Sequence, residues 1–322
     1  MQEKISKLFG VPAPDAATVP VRDAINGLPA EVYPEQDKNY VFDPLLLKKM
    51  IRFFLGGAAR RNLLFIGEPG VGKSSLALEM ASRLGWPVWS LACSGKTRFA
   101  HMIGSYRLSI KDGASITVWE DGPLLNAMRH GGVFLANEIT RLDAGEQMNL
   151  AEVLDASGTI TVPDTGEVVK AHPMFRFIAT GNTGGYGDTA GAYPGERASS
   201  LAFLDRFQKF QVDHLSAEQE MALIGKVAPK LPEILVKPML KLAEEIRKNF
   251  IGRGGNLRVV LSTRSLLVWA REAESYALIN GLKDPAREAL LDTVVNGTPD
   301  EERKTVLELW DFWVANPSAT KT

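Results

Sequence analysis

The sequence predicts an α/β fold in which a parallel five-stranded sheet carries helices on both faces and is followed by a small all-helical domain. Five short apolar runs, each typical of a buried strand, alternate with helical patterns over the first two thirds of the chain. Such alternation is typical of parallel strands joined by helices. Later segments such as PMLKLAEEIRKNF carry only helical periodicity. The predicted domains are an N-terminal arm over residues 1–40, an α/β domain over 41–214 and a helical domain over 215–322.

The composition of the 322-residue chain is that of an ordinary folded protein, with 45% hydrophobic and 23% charged residues. The net charge of -1 argues against a globally basic nucleic-acid-binding protein. The single cysteine, Cys93, excludes an intramolecular disulfide and a zinc site built from several cysteines. No apolar run reaches the roughly 18 residues of a membrane span, and the short, charged N-terminus is unlike a secretory signal. We therefore expect a cytoplasmic protein that does not bind membranes.

The elements of the α/β domain start with a helix, for which Asp43 is the predicted N-cap and Pro44 the first residue. The predicted strands that follow are NLLFIG, WPVWSLAC, VFLANE, FRFIATGN and FQKFQVDHL. Two segments, LSIKDGASITVWEDG and TITVPDTGEVVKAH, instead alternate apolar and polar residues around a glycine-containing turn. They predict two inserted β-hairpins with turns at residues 111–113 and 164–166.

The segment GEPGVGKS, residues 67–74, matches the phosphate-loop pattern G-x-x-x-x-G-K-[ST] and lies between a predicted strand and a predicted helix. Glycines let backbone N–H groups turn toward phosphate, and the helix N-terminus adds a partial positive charge. Lys73 is expected to reach the β- and γ-phosphates, and the Ser74 hydroxyl to ligate Mg²⁺. The sequence thus predicts ATP and Mg²⁺ as cofactors. The predicted nucleotide-binding residues are Gly67, Glu68, Pro69, Gly70, Val71, Gly72, Lys73, Ser74 and Ser75.

Four further polar residues are candidates for catalysis. Glu138, at the end of the third predicted strand, is placed to act as general base toward an attacking water, unless Asn137 and Glu138 simply begin a helix. Asn182 follows the fourth strand and can orient that water, or belong to an ordinary turn. Arg206 precedes the fifth strand and can stabilise the transferring phosphoryl group in a neighbouring subunit, or form a surface salt bridge. Arg264 starts a helix of the second domain and can contact the γ-phosphate, or serve only the structure.

Beyond these single residues, longer segments of the chain resemble the AAA+ ATPases of the MoxR group over roughly residues 40–270. The segments NEITRLDAGEQMNLAEVLD and GTITVPDTGEVVKAHPMFRFIATGNT are similar to this group in particular, whereas the phosphate loop is shared with many NTPases. LDRF and STRSLL fall where the group has its arginine finger and its second sensor. The loop GYGDTAGAYPG, residues 185–195, the segment GSYRLSIKDG and the N-terminal arm resemble the ATPase subunits of aerobic cobaltochelatases.

The resemblance implies a P-loop AAA+ fold and assigns roles to the candidate residues. Glu138 is the activator of water, Asn182 the first sensor, Arg206 the arginine finger that acts in the next subunit, and Arg264 the second sensor. A finger that acts in the next subunit implies a ring, expected to be a homo-hexamer. The resemblance also implies that the hairpins face the pore or a partner. Relatives usually work with a von Willebrand A-type protein and remodel a target or help to load a metal into it.

The sequence departs from the group's pattern at Asn137, where the group has an Asp that holds Mg²⁺ through water. Asparagine keeps an oxygen acceptor but lacks the negative charge, so Mg²⁺ held by Ser74 and Asn137 is expected to bind weakly. We therefore predict slow ATP hydrolysis with a raised Mg²⁺ requirement.

Two alternatives to a protein-remodelling ATPase remain open. A nucleic-acid motor needs basic hairpins, but SIKDGASITVW offers only Lys111 and TVPDTGEVVK is balanced in charge, so nucleic acid is not the expected partner. A nucleotide-gated scaffold that binds ATP and assembles, but scarcely turns over, is favoured by Asn137 alone. The predicted function is an ATP-driven ring that remodels or activates a protein target.

Overall fold

The computed structural model describes residues 1–56, 61–111 and 114–316. The strands are β1 (Gln2–Lys4), β2 (Thr18–Pro20), β3 (Asn62–Ile66), β4 (Val88–Ala92), β5 (Gly104–Lys111), β6 (Ala114–Asp121), β7 (Val133–Asn137), β8 (Thr159–Thr161), β9 (Val168–Lys170), β10 (Arg176–Gly181) and β11 (Gln208–Gln211). The helices are α1 (Ile5–Phe9), α2 (Pro44–Leu55), α3 (Lys73–Leu84), α4 (Phe99–Ile103), α5 (Pro123–His130), α6 (Ala144–Asn149), α7 (Ala151–Leu154), α8 (Leu201–Leu204), α9 (Ala217–Val227), α10 (Glu233–Lys248), α11 (Thr263–Tyr276), α12 (Pro285–Leu290) and α13 (Asp300–Ala315).

Five strands form one parallel sheet in the order β11-β3-β10-β7-β4. Alternate residues of each central strand face opposite cores: Phe134 and Phe177 pack on one side of the sheet, Leu135 and Ile178 on the other. Both faces are covered, so the central strands are apolar along most of their length, as in buried parallel sheets. The predicted five-stranded parallel sheet is confirmed. Because the strands are parallel, their carboxyl ends lie together at one edge.

Both inserted hairpins are present. Strand β5 pairs with β6 in antiparallel register, and β8 pairs with β9 in the same way. Of the first predicted turn, residues 112 and 113 lie outside the described residues. In the second turn, Gly166 has a φ of 69°, in the left-handed region that glycine adopts without steric cost.

The first forty residues pack against the α/β core. Strands β1 and β2 pair with each other, and Phe9 and Val19 are buried in the same core as helices α2 and α3. The rings of Phe9 and Phe42 meet edge to face, with centroids 5.3 Å apart. Helix α2 begins as the sequence predicts, because the side chain of Asp43 accepts a hydrogen bond from the N–H of Leu46 and Pro44 is its first residue. The domain boundary placed after residue 40 stays a prediction.

After β11 the described part of the chain forms helices α9–α13 around a separate apolar core, which confirms the predicted helical region. At its centre the rings of Trp269 and Trp310 meet with centroids 5.1 Å apart. Ser216 caps α9 and Ser262 caps α11, each by accepting a backbone N–H of the first helical turn. No helix among the described residues is both long and apolar enough to cross a membrane.

Candidate functional site

The phosphate loop joins β3 to α3 at the carboxyl edge of the sheet. Two of its glycines cannot be replaced without moving neighbouring segments. A Cβ at Gly67 would collide with the carbonyl oxygen of Val212, and a Cβ at Gly70 would collide with the side chain of Ser262. Gly70 also has a φ of 77°, which side-chain-bearing residues rarely adopt. The loop is thus closely packed between the end of β11 and the start of α11.

Lys73, the first residue of α3, folds back over this loop. Its Nζ donates to the carbonyl oxygens of Gly67 (2.6 Å) and Glu68 (2.9 Å) and to Oδ1 of Asn182 (2.9 Å). Burial lowers the pKa of Lys73 to about 8, against the opposing effect of nearby carboxylates, the largest being that of Glu138. Burial thus disfavours the charged form of Lys73, and the negative charges of a bound phosphate would raise its pKa.

Ser74 and Asn137, the predicted magnesium ligands, lie side by side. The Ser74 hydroxyl donates to Oδ1 of Asn137 at 2.5 Å. Hydroxyl and amide oxygens are donors that Mg²⁺ accepts, so this pair fits such an ion. Among the described residues, no group of three or more His, Cys, Asp or Glu side chains could hold a metal. Magnesium at this position would therefore depend on these two neutral oxygens, on water and on phosphate.

Glu138 has an unusual backbone. Its φ of 57° makes it the only residue other than glycine with positive φ in the described part of the chain. The strained conformation costs roughly 1–3 kcal/mol, and the N–H of Glu138 is held by the hydroxyl of Thr180 at 2.9 Å. Glu138 does precede a single 3₁₀ turn, Ile139–Arg141. Its carboxylate lies 2.6 Å from Nε of Arg141, in an ion pair that is not aligned as a hydrogen bond.

Asn182 lies just past the end of β10, between Lys73 and a carboxylate that the sequence did not point to. Its Nδ2 donates to Oε1 of Glu196 at 3.2 Å, and the hydroxyl of Thr183 donates to Oε2 of Glu196 at 3.1 Å. Glu196 is only 8% exposed. No motif marks this residue, because its position depends on how the loop of residues 184–199 folds back onto the end of β10.

Glu68 connects the phosphate loop to the helical region. After Glu196, this contact is the second feature of the site that the sequence did not indicate. Its carboxylate lies 3.0 Å from Nε2 of His214 and also pairs with Arg253. Although burial opposes it, these two hydrogen bonds hold the pKa of the Glu68 carboxyl below its usual value. A cleft of about 420 Å³ opens beside this contact, between Glu68, Asn182, Tyr193 and Arg253. The phosphate loop is thus in direct contact with helical elements that follow the sheet.

The two predicted arginines lie at opposite edges of the sheet. Arg264 is exposed in the first turn of α11, beside Gly70, and its charge helps to lower the pKa of Lys73. Arg206 lies before β11 at the amino edge and pairs with Asp155 at 2.6 Å. A five-residue strand spans roughly 15 Å, so Arg206 cannot reach Lys73 of its own chain. Its role in a neighbouring subunit stays a prediction.

Comparison with known proteins matches residues 62–207, from β3 to the residue before β11, to the AAA domain of the dynein-related subfamily. The aerobic cobaltochelatase subunit CobS of a Sinorhizobium species is 31% identical over 252 residues, which cover 76% of this chain and 73% of that protein. The denitrification regulatory protein NirQ of Pseudomonas aeruginosa is 29% identical over 244 residues, covering 72% of this chain and 88% of NirQ. NirQ of Stutzerimonas stutzeri is 28% identical over 213 residues, covering 66% and 72%.

Proposed function

Since the chain belongs to the MoxR-like AAA+ ATPases, with the cobaltochelatase subunit CobS among its relatives, we propose that it binds ATP with Mg²⁺ and hydrolyses the nucleotide. The observation that carries this proposal is the meeting of Lys73, Ser74, Asn137 and Asn182 at the carboxyl edge of the sheet. Glu138 adjoins them at the end of β7. Ligands of open α/β sheets bind at this edge.

The chemistry follows from the partners that each side chain can give up for phosphate, Mg²⁺ or water. Lys73 would leave the carbonyl oxygens of its own loop for the β- and γ-phosphates. Ser74 and Asn137 would hold Mg²⁺, which neutralises phosphate charge when it is bound. Glu138 would take a proton from the attacking water once its carboxylate separates from Arg141.

We extend the proposal to a ring, expected to be a homo-hexamer, in which Arg206 completes the site of the adjacent subunit. The position of Arg206 at the far edge from Lys73 supports a role between subunits. Arg264 would act from α11 on the γ-phosphate. Because α11 also packs against Gly70, nucleotide binding would move the helical region relative to the sheet, a common switching device.

The proposed target is a protein, reached with a von Willebrand A-type partner, and the task is enzyme activation or metal insertion. CobS is by name a subunit of an aerobic cobaltochelatase, and NirQ is by name a denitrification regulatory protein. The hairpin of β5 and β6 supports a protein rather than a nucleic acid, because Leu108 and Ile110 are exposed on it. Its Arg107 is paired with Glu120 at 2.5 Å, which leaves little free positive charge.

A nucleotide-gated scaffold is the second candidate, favoured by Asn137 and by the ion pair of Glu138 with Arg141. Phosphate release by the purified chain with ATP and Mg²⁺ separates the two functions. The motor predicts steady release that Lys73→Ala abolishes by strongly weakening ATP binding. The scaffold predicts that the wild type binds ATP and assembles without sustained release.

A further inference from the structure

We propose that Glu196 is a positioning residue, which fixes the side-chain amide of Asn182 in one orientation for ATP hydrolysis; this rests on the proposed function. Nothing in the phosphate-loop pattern or in the resemblance assigns a role to Glu196. The proposal rests on hydrogen-bond chemistry, on burial, and on what must happen to Lys73 when phosphate binds.

The two neighbours of the Asn182 amide allow only one orientation. Lys73 is only a donor, so the oxygen of Asn182 must face it, and the observed distance from Nζ to Oδ1 is 2.9 Å. A carboxylate is only an acceptor, so the NH₂ group must face Glu196, where Nδ2 lies 3.2 Å from Oε1. An NH₂ group carries two hydrogens, and the second stays available for phosphate or for the attacking water.

Nucleotide binding would remove one of these two constraints. When Lys73 turns to the phosphates, nothing on the lysine side selects the oxygen of Asn182. Glu196 then alone keeps the NH₂ group from exchanging places with the oxygen. A flipped amide would put its oxygen where the NH₂ group stood, so the hydrogen bond that its free N–H could give to phosphate or to the attacking water would be lost.

The cost of burying Glu196 argues against a purely structural role. Glu196 is 8% exposed as a residue, and its carboxylate receives hydrogen bonds from two neutral groups, on Asn182 and Thr183. No salt bridge among the described residues includes it, and the charge of Lys73 acts on it only from beyond ion-pair distance. A buried charge with only neutral donors costs more than a neutral side chain with the same partners. An acceptor-only group is what the orientation of Asn182 needs.

The loop that carries Glu196 is anchored through Tyr193. The N–H of Glu196 donates to the carbonyl oxygen of Tyr193 at 3.1 Å. The ring of Tyr193 packs edge to face against Phe250 of the helical region, with centroids 6.1 Å apart. The position of Glu196 is therefore fixed, so its carboxylate can hold the Asn182 amide in one orientation.

The test compares steady-state ATP hydrolysis by Glu196→Ala, Glu196→Gln, Asn182→Ala and the Glu196→Ala/Asn182→Ala double variant. Loss of one hydrogen bond that acts in the transition state predicts a kcat about tenfold lower for Glu196→Ala, at nearly unchanged KM for ATP. Glutamine can accept from Asn182 but can also donate to a flipped amide, so Glu196→Gln should recover only part of the rate. The exposed Glu233, replaced by Ala, is the matched control and should keep the wild-type kcat.

The double variant decides whether Glu196 acts through Asn182. The proposal predicts that it is no slower than Asn182→Ala alone, because the amide is already gone. Losses that multiply would overturn the proposal, as would a Glu196→Ala variant with wild-type kcat, or one whose only change is a raised KM.

A second readout does not depend on turnover. In nucleotide-free protein labelled with ¹⁵N-asparagine, the side-chain amide signal that disappears in Asn182→Ala should shift in Glu196→Ala, and shift less in Glu196→Gln. An unmoved signal would overturn the proposal even if the enzyme is active. A wild type that binds ATP without releasing phosphate would instead refute the proposed function. The amide signal would then still show whether Glu196 orients Asn182.

Discussion

The two edges of the parallel sheet each bury a cation, and they use it differently. At the amino edge, Arg176 is 2% exposed and donates to the carbonyl oxygens of Phe53, Phe54, Pro173 and Phe175. Its guanidinium also lies 5.2 Å from the ring of Trp86. At the carboxyl edge, Lys73 is bound only to the phosphate loop and to Asn182.

The two cations differ in whether a ligand can take the place of their hydrogen-bond acceptors. The carbonyl groups around Arg176 come from α2 and from the segment just before β10, which the fold holds in place. A planar guanidinium with five donors can satisfy several such fixed acceptors at once. The acceptors of Lys73 belong to a loop whose N–H groups are built to receive phosphate. A buried cation therefore contributes to stability at one edge and to ligand exchange at the other.

The largest expected effect is the loss of Arg176. Replacing it with Met leaves several buried carbonyl groups without a donor, so we expect the free energy of unfolding to fall by about 3–5 kcal/mol. Urea unfolding measures this value. Arg52→Met, on the exposed face of α2, is the control and should change it by less than about 0.5 kcal/mol. A loss below about 1 kcal/mol for Arg176→Met would remove the contrast between the two edges.

The pKa of Lys73 predicts that ATP binding depends on pH. In the free protein this pKa is lowered to about 8, mainly by burial, and bound phosphate raises it, so ATP binding takes up a proton above pH 8. Affinity should be nearly constant below pH 7 and fall roughly tenfold between pH 7 and pH 9. Titration with a fluorescent ATP analogue measures it. The weak residual binding of Lys73→Ala should lack this pH dependence, and a flat wild-type profile would contradict the account.

A carboxylate at position 137 tests whether Asn137 contributes to magnesium binding at the carboxyl edge. Asn137→Asp adds a negative charge beside Ser74, so the Mg²⁺ concentration for half-maximal ATPase activity should fall on the order of tenfold. Activity is measured against Mg²⁺ at saturating ATP. Ser74→Ala should shift the requirement in the opposite direction. If Asn137→Asp changes neither the rate nor the Mg²⁺ dependence, the assignment of Asn137 to magnesium is wrong.

The smallest expected effect concerns Arg141. Its ion pair with Glu138 is more than a third exposed, with side chains 36% and 44% accessible. Exposed pairs contribute about 0.2–1 kcal/mol. Arg141→Ala should therefore raise the hydrolysis rate by no more than about fivefold, because Glu138 is released. A large loss of activity would instead give Arg141 a direct role in the site.

Local signals in the sequence predicted the elements that depend on local chemistry. The strands, the Asp43 cap, both hairpins and the phosphate loop each follow from patterns within about fifteen residues. The sequence also placed Asn137 and Asn182 at the ends of predicted strands, and the structure shows that these strands are neighbours in the sheet.

The missed features depend on how a loop folds back or on contacts between distant segments. Glu196 reaches Asn182 only because a long loop folds back. The contact of Glu68 with His214 and Arg253 joins residues that are 146 and 185 positions apart in the chain.

The start of helix α10 also differs from the sequence pattern. The helix begins at Glu233, five residues before the PMLKLAEEIRKNF pattern, and it contains Pro238. Pro238 has no N–H to donate to the carbonyl oxygen of Ile234, four residues earlier. Ile234 is exposed, so water can hydrogen-bond to that oxygen instead.

Phosphate release by Glu138→Gln tests the central claim most directly. Glutamine keeps the shape and the side-chain length of Glu138 but cannot accept the proton of the attacking water. We predict that this variant binds ATP as tightly as the wild type and releases phosphate at least about 100-fold more slowly. Equal rates for Glu138→Gln and the wild type, in preparations of equal ATP affinity, would contradict the assignment of ATP hydrolysis to this edge of the sheet.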